Sequence, residues 1–579
     1  MEPINAAILW ASDFVWTWLV VGLCVVAGVY TTIKLRFVQF RMLPHAIILL
    51  RGRYSEGQSD NDISTLQALA TTLASTTGVG NIAGVAVAIS LGGPGAIFWM
   101  WVMALLNMSI KFVEASLGSM YRHPEAGKDG APLVGGPMYY IAEGLGARWR
   151  PIAIAFSLLG SVSFLGAWNT FQSNQASAIV LDQFGVPTWL TAFVLMVFSA
   201  LVLIGGIRRI GQVAEKIVPA MALLYLGGVA VILLTHLDEI PSLFALIVRE
   251  AFHFEAGASG ALGMIILIGV KRAVFSNESG SGSAAIAFAA AHSNHPIRKG
   301  VIAGIGPFID TVIICTATAL VILLAGMHGD GRYQPLAEAE VAFTSHAEAA
   351  MRSGWDLIDA EPFSMLQATR VSSGLAIPLD PQIHADGYLL RYQGGSLVLS
   401  FVSDTGSVAY TRELPVASSA YDAHVILPQR LPGDARWFLV FSGSDVQITG
   451  LVPLQELNGI VLSTAAFAQY FGSWSGLFIC LCAVLFSYTS IIAGSYYGEV
   501  CAQYLSPKFL KPYVWIYVLA IMVGGLFDLS TIINASDLAL GLACVPNLIA
   551  IILLTPRVAR EQESYRKAMN MRHAIVEDN

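Results

Sequence analysis

Charge is scarce in this chain. Only 12% of its 579 residues are Asp, Glu, Lys or Arg, while 55% are hydrophobic. A soluble domain carries about 25% charged residues, so a large water-facing surface is excluded. Cysteine is also sparse. Cys24, Cys315, Cys480, Cys482, Cys501 and Cys544 all fall in apolar segments without metal-ligand spacing, where cysteine serves as a small hydrophobe. The N-terminus, Met1-Glu2-Pro3, lacks the basic flank of a cleaved leader. The apolar run Trp16–Tyr30 therefore reads as a retained span, ending in Lys34, Arg36 and Arg41. No nucleophile with a base, phosphate loop or metal cluster is present, so no enzyme is expected, and nucleic acid is not an expected partner.

Long apolar runs are abundant. A bilayer core of roughly 30 Å needs about 20 residues. Eleven runs of that kind are centred near residues 25, 80, 107, 165, 196, 222, 275, 312, 485, 518 and 543. Arg51 and Arg53, Arg148 and Arg150, Arg208 and Arg209, Arg298 and Lys299, Lys508 and Lys511, and Arg557 and Arg560 share one side of these spans. The opposite connections around Gly93, Gly185 and Ser530 carry no Lys or Arg. The excess of basic charge inside then predicts an external N-terminus and a cytoplasmic C-terminus in the cell membrane.

One stretch turns polar. Between Gly329 and Asn458 lie fifteen acidic residues, seven arginines and no lysine. Tyr388–Tyr392, Ser396–Val402 and Trp437–Phe441 alternate as strands do. Turn signals at Gln393-Gly394-Gly395, Ser403-Asp404-Thr405-Gly406 and Pro432-Gly433-Asp434 separate them. The expected class is an all-α polytopic membrane protein of about eleven spans with a small inserted β-rich extracytoplasmic domain.

Two spans are interrupted. The run Thr71–Trp101 is broken at Thr77-Gly78-Val79-Gly80-Asn81, and the seventh span at Ser276-Asn277-Glu278-Ser279-Gly280-Ser281-Gly282-Ser283. Hydrocarbon does not tolerate unpaired peptide groups, so a broken span must line a cavity or lie buried in protein. Each break opens a run of five spans, and an odd number forces opposite orientation. Broken helices at matching positions of two inverted repeats point to a midplane solute site. The implied divisions are 1–60, an accessory span and cytoplasmic loop; 61–240, the first repeat; 241–328, the start of the second; 329–460, the insert; 461–560, the rest of the second repeat; and 561–579, a cytoplasmic tail.

The motifs GVGNIAGVAVAISLGGPGAIFWMW (78–101), KFVEASLGSMYR (111–122), GGPMYYIAEGLG (135–146), NTFQSNQ (169–175), KRAVFSNESGSGS (271–283) and YTSIIAGSYYGE (488–499) are together specific. At these residues the chain resembles the alanine or glycine:cation symporter family, the sodium:alanine symporters. The resemblance implies a fold like the bacterial leucine transporter and alternating access. It also implies Na+ or H+ moving inward with a small neutral amino acid. No cofactor beyond the coupling ion is implied, and nothing indicates the oligomeric state. Two departures stand out: the family's FSNEAGLGS reads FSNESGSGS here, and Gly494 occupies a position where members often carry tryptophan. Loss of an indole there predicts a larger pocket and larger amino acids.

The candidate substrate residues are Thr77, Gly78, Gly80 and Asn81 in the first break, Gln172 in the fourth span, Phe275, Ser276 and Asn277 at the second break, and Gly494. For Na+ they are carbonyls near Thr76 and Val79 with the hydroxyls of Thr489 and Ser490. Lys111, Glu114, Lys271, Arg272 and Glu278 are costly within spans and are expected in ion pairs or an external gate. A proton-coupled carrier would need a titrating group at the cation site, and no acid is evident beside Thr489. A nutrient sensor using the external domain is a further alternative, with about 20 residues after the last span to signal through.

Overall fold

In lipid every peptide group must find its partner inside the protein, so apolar runs become helices. The structure, a computed structural model, describes residues 2–50, 63–124, 133–252, 259–291, 295–328, 459–526 and 530–577, and only strand segments inside 329–458. Arg51, Arg53 and most of the insert's turn signals lie outside the described residues.

In chain order the main helices begin with α1 (Ala6–Lys34), α2 (Thr65–Thr76), α3 (Ala83–Gly92), α4 (Gly95–Met120) and α5 (Ala147–Phe184). They continue with α6 (Thr188–Leu203), α7 (Gly206–Leu234), α8 (Ile240–Ala251), α9 (Ser259–Ser276) and α10 (Ser283–Ala289). The last are α11 (Pro296–Leu324), α12 (Gly459–Phe471), α13 (Trp474–Leu505), α14 (Pro507–Leu526) and α15 (Asn534–Met569). Among the described residues 8 helices are long and apolar enough to cross a membrane, or up to 9 when the bent pair around residue 78 is one span. That is fewer than the eleven expected. The run near residue 196 forms only the 16 residues of α6, short of the length a bilayer asks for. The run near 275 is split into α9 and α10.

The first break has a local cause. Ser64 and Gln67 cap α2 reciprocally, at 3.0 and 2.9 Å, and the helix runs until Gly78 turns extended at φ −114°. A 3-10 turn, Val79–Asn81, restarts the chain, which leaves bent by 63°. Four carbonyls flanking the break are taken by side chains of other elements. Ser490 donates to Ala74 O and Ser75 O at 3.2 and 3.3 Å. Thr318 donates to Asn81 O at 2.9 Å, and Ser463 to Ile82 O at 3.0 Å. Within the break, Thr76, Gly78 and Val79 O accept from Gly78, Asn81 and Ile82 N–H at 2.9–3.1 Å, and such pairing lets a buried break persist.

The second break is pinned differently. Glu278, Gly280 and Gly282 take positive φ of 49°, 84° and 87°, which no right-handed helix accommodates. Glu114, fully buried on α4, accepts from the Gly282 N–H at 2.9 Å and from Asn547 at 2.9 Å. Asn547 also donates to Gly280 O at 2.8 Å. Lys111 lies 3.5 Å from Glu114 and donates to Ser283 at 3.1 Å, so this pair is structural. Lys271 pairs with Asp13 at 2.6 Å on an exposed face.

Gly329–Leu457 separates as a second compact unit. Its strands pair antiparallel in two sets. One runs Thr369–Val371, Gly374–Leu379, Arg436–Ser442, Ser396–Val402, Val408–Leu414. The other runs Tyr333–Pro335, Gln447–Glu456, Gly387–Gln393, Asp422–Val425.

Candidate functional site

Both breaks border one buried cavity of about 40 Å³, lined by Ser75, Thr76, Gly78, Gly80, Trp168, Phe171, Gln172, Phe275, Ser276 and Glu278. A single water needs roughly 10–15 Å³ in this measure, so the space takes about three water-sized groups. Glycine at 78 is a matter of reach: a Cβ there would lie 3.0 Å from Ser490 Oγ and 3.5 Å from Gln172 Nε2. Without it, α13 and α5 approach the unwound backbone directly. At Gly80 a Cβ would meet nothing within 4 Å. Several buried polar atoms find no partner among the described residues: Thr76 Oγ1, Gln172 Oε1, Asn277 Nδ2 and Glu278 Oε2. Three of those residues line the cavity, with these particular atoms turned into the protein beside it.

Of the residues singled out from the sequence, Thr76, Gly78, Gly80, Gln172, Phe275 and Ser276 line this space. Phe275 also packs against Trp16 of α1, with ring centroids 5.8 Å apart. Thr77 is buried with its N–H on Leu73 O at 2.7 Å. Asn81 and Asn277 turn away, toward α11. Asn81 Nδ2 donates to Asp310 Oδ1 at 2.5 Å, and Asn277 Oδ1 accepts from Thr311 at 2.9 Å. Ser276 Oγ joins the cluster, donating to Asp310 Oδ2 at 2.6 Å and to Asn81 Oδ1 at 3.3 Å.

The α2 carbonyls that meet the hydroxyl pair lie just before Thr76 in the chain. Ser490 sits on the Ala74 and Ser75 carbonyls, whereas the Val79 carbonyl is taken by Ile82 N at 3.1 Å. Thr489 Oγ1 donates to Phe486 O of its own helix at 3.0 Å. Ser490 Oγ and the Ala74 and Ser75 carbonyls form one group of neutral oxygens, while Thr489 Oγ1 lies against Phe486 O and Met221 Sδ.

Gly494 packs against Trp168 and Tyr517, with Trp168 between it and the cavity. A Cβ at 494 would lie 2.5 Å from Trp168 Cβ and 2.9 Å from Tyr517 Oη. The position is filled by Trp168, an indole delivered from α5, and Trp168 itself lines the cavity. Trp168 Nε1 donates to Glu278 Oε1 at 2.5 Å and to Ser75 Oγ at 3.0 Å, and Ser75 donates to the same carboxylate oxygen.

Sequence reasoning missed Asp310, Ser75, Trp168 and Phe171, and treated Glu278 as a paired charge. The signal for Asp310 was present: one carboxylate inside the apolar run Phe308–Cys315. Nothing in the local pattern around Trp168 distinguished a cavity wall from core packing.

Multiple apolar helices and a broken span describe a multi-pass membrane protein. The sodium:alanine symporter family matches residues 1–355 and 439–578. The chain is 31% identical over 559 residues to a sodium/alanine symporter of Methanococcus maripaludis, covering 96% of each protein. It is 38% identical over 336 residues to a probable sodium/glutamine symporter of Bacillus subtilis, covering 58% of this chain and 69% of that one. An amino-acid carrier protein of the same bacterium is 41% identical over 332 residues, covering 56% and 69%. The chain belongs to the sodium:alanine symporter family, and is therefore a transporter rather than an enzyme.

Proposed function

We propose that the chain is a secondary active symporter that couples inward Na+ movement to uptake of a small neutral amino acid by alternating access. The observation that carries this reading is the shared cavity: two unwound segments from distant parts of the chain face one space of about 40 Å³. Na+ would sit at the Ser490 hydroxyl and the Ala74 and Ser75 carbonyls, where Ser490 already bridges α13 and the first break, with Thr489 next to it on α13. The solute's polar ends would meet Gln172 and the backbone beside Gly78 and Gly80. The small volume, closed by Trp168 and Phe171, favours alanine or glycine over leucine. Eleven spans as 5+5 inverted repeats of the leucine-transporter kind, an external N-terminus, and an extracytoplasmic β-rich Gly329–Leu457 complete the proposal.

Proton coupling is favoured by one observation: Asp310, fully buried, shares its carboxylate with Asn81 and Ser276 at the junction of both breaks. Uptake of labelled alanine into proteoliposomes, with Na+ replaced by choline or Li+, tests the main reading. Uptake that survives choline and follows an imposed pH gradient would replace Na+ by H+.

A further inference from the structure

We infer that Glu278 is the ammonium-binding, and hence specificity-determining, residue of the cavity. This rests on the reading of the cavity as the amino-acid site and names the group that makes an α-amino group obligatory. Glu278 lies in the cavity wall and is 6% exposed. None of the ion pairs among the described residues includes it; Lys111, on α4, is held by Glu114 at 3.5 Å. An ionised carboxylate inside a membrane protein without a cationic partner is expensive. Trp168 and Ser75 both donate to Oε1, and Lys111 lies near enough to attract the carboxylate without forming an ion pair with it. Oε2 is buried and has no hydrogen-bond partner.

The backbone points the same way. Glu278 stands at φ 49°, a conformation that a non-glycine side chain adopts at a cost and that clusters at functional sites. It places the carboxylate on the cavity rather than along α9. An α-ammonium has three N–H donors and a full positive charge, matching a half-satisfied carboxylate in a dry space. The other end of a zwitterion would find Gln172 and the first break across the same small volume. Trp168 and Ser75 act as positioning residues, holding Oε1 at the cavity wall.

The test is equilibrium binding to detergent-purified, full-length protein in Na+ buffer, using alanine, lactate (hydroxyl for ammonium), propionate and ethylamine. Wild type should bind alanine at least about 10-fold more tightly than lactate or propionate. Glu278→Gln, which retains an acceptor for Trp168 and Ser75, should weaken alanine by roughly 10- to 100-fold while lactate changes by less than about 3-fold. Glu278→Asp should fall between. Wild type that binds lactate as well as alanine overturns the assignment, without using any variant, and leaves symport intact. So does Glu278→Gln that folds and binds alanine as wild type does. If neutral amino acids do not bind but ethylamine does, and loses affinity in Glu278→Gln, the symport reading fails and the Glu278 assignment stands.

Discussion

At the first break the chain presents backbone, and at the second it presents side chains. Gly78 and Gly80 expose peptide groups between Thr76 and Asn81, with the freed carbonyls held by hydroxyls from α11, α12 and α13. The second break carries Glu278, links through Ser276 to Asp310, and is pinned by Glu114 and Asn547. Its glycines serve conformation: Gly280 and Gly282 have positive φ and are enclosed, whereas Gly80 has open space around it. A segment built from neutral dipoles suits a coupling ion that enters and leaves. A segment built around carboxylates would, on the proposed reading, set which charges the solute must bring. Two interruptions of the same kind therefore divide the chemistry.

The sharpest way to break the comparison is a methyl group at each glycine. Gly282→Ala adds a Cβ that would lie 2.9 Å from Pro137 Cδ and 3.0 Å from Phe156, at φ 87°. The cost should be about 2–5 kcal/mol, seen as a collapse of the melting temperature of the purified protein. Gly80→Ala should cost less than about 1 kcal/mol yet reduce alanine uptake, because its methyl enters the cavity. Equal stability losses would erase the distinction drawn here.

Asp310→Asn probes the junction between the breaks. It preserves shape but removes the charge that Asn81 and Ser276 hold, and uptake should fall by roughly 10- to 100-fold in protein that still inserts and melts normally. Normal uptake with unchanged cation dependence would reduce Asp310 to a packing role.

Smaller effects separate the hydroxyl pair. Ser490→Ala should raise the Na+ concentration for half-maximal uptake by roughly 10-fold, because Ser490 faces the Ala74 and Ser75 carbonyls. Thr489→Ala should raise it by only about 3-fold, since that hydroxyl already bonds Phe486 O of its own helix. The reverse order would move the ion toward Thr489. Substrate size gives the mildest readout. With Trp168 filling the space beside Gly494, glycine and alanine should compete for uptake better than glutamine, and glutamine better than leucine. Leucine competing as well as alanine would restore the enlarged pocket.

Much of this was written in the linear chain. Low charge and long apolar runs impose membrane-crossing helices because lipid offers no partner to peptide groups. Gly78-Val79-Gly80 and Glu278 to Gly282 mark where helices stop, since local conformational preference acts over a few residues. The motifs around them suffice for the family. Tertiary structure decided what those segments meet. Asp310 lies 34 residues beyond Ser276 and 229 beyond Asn81, yet hydrogen-bonds both. Trp168 fills the volume beside Gly494 from another helix, and Glu278 finds its donors on α2 and α5. Composition and periodicity act along the chain, so they specify where a helix breaks. Which carboxylate is left half-satisfied beside a cavity depends on packing between helices hundreds of residues apart, and only the assembled bundle sets that.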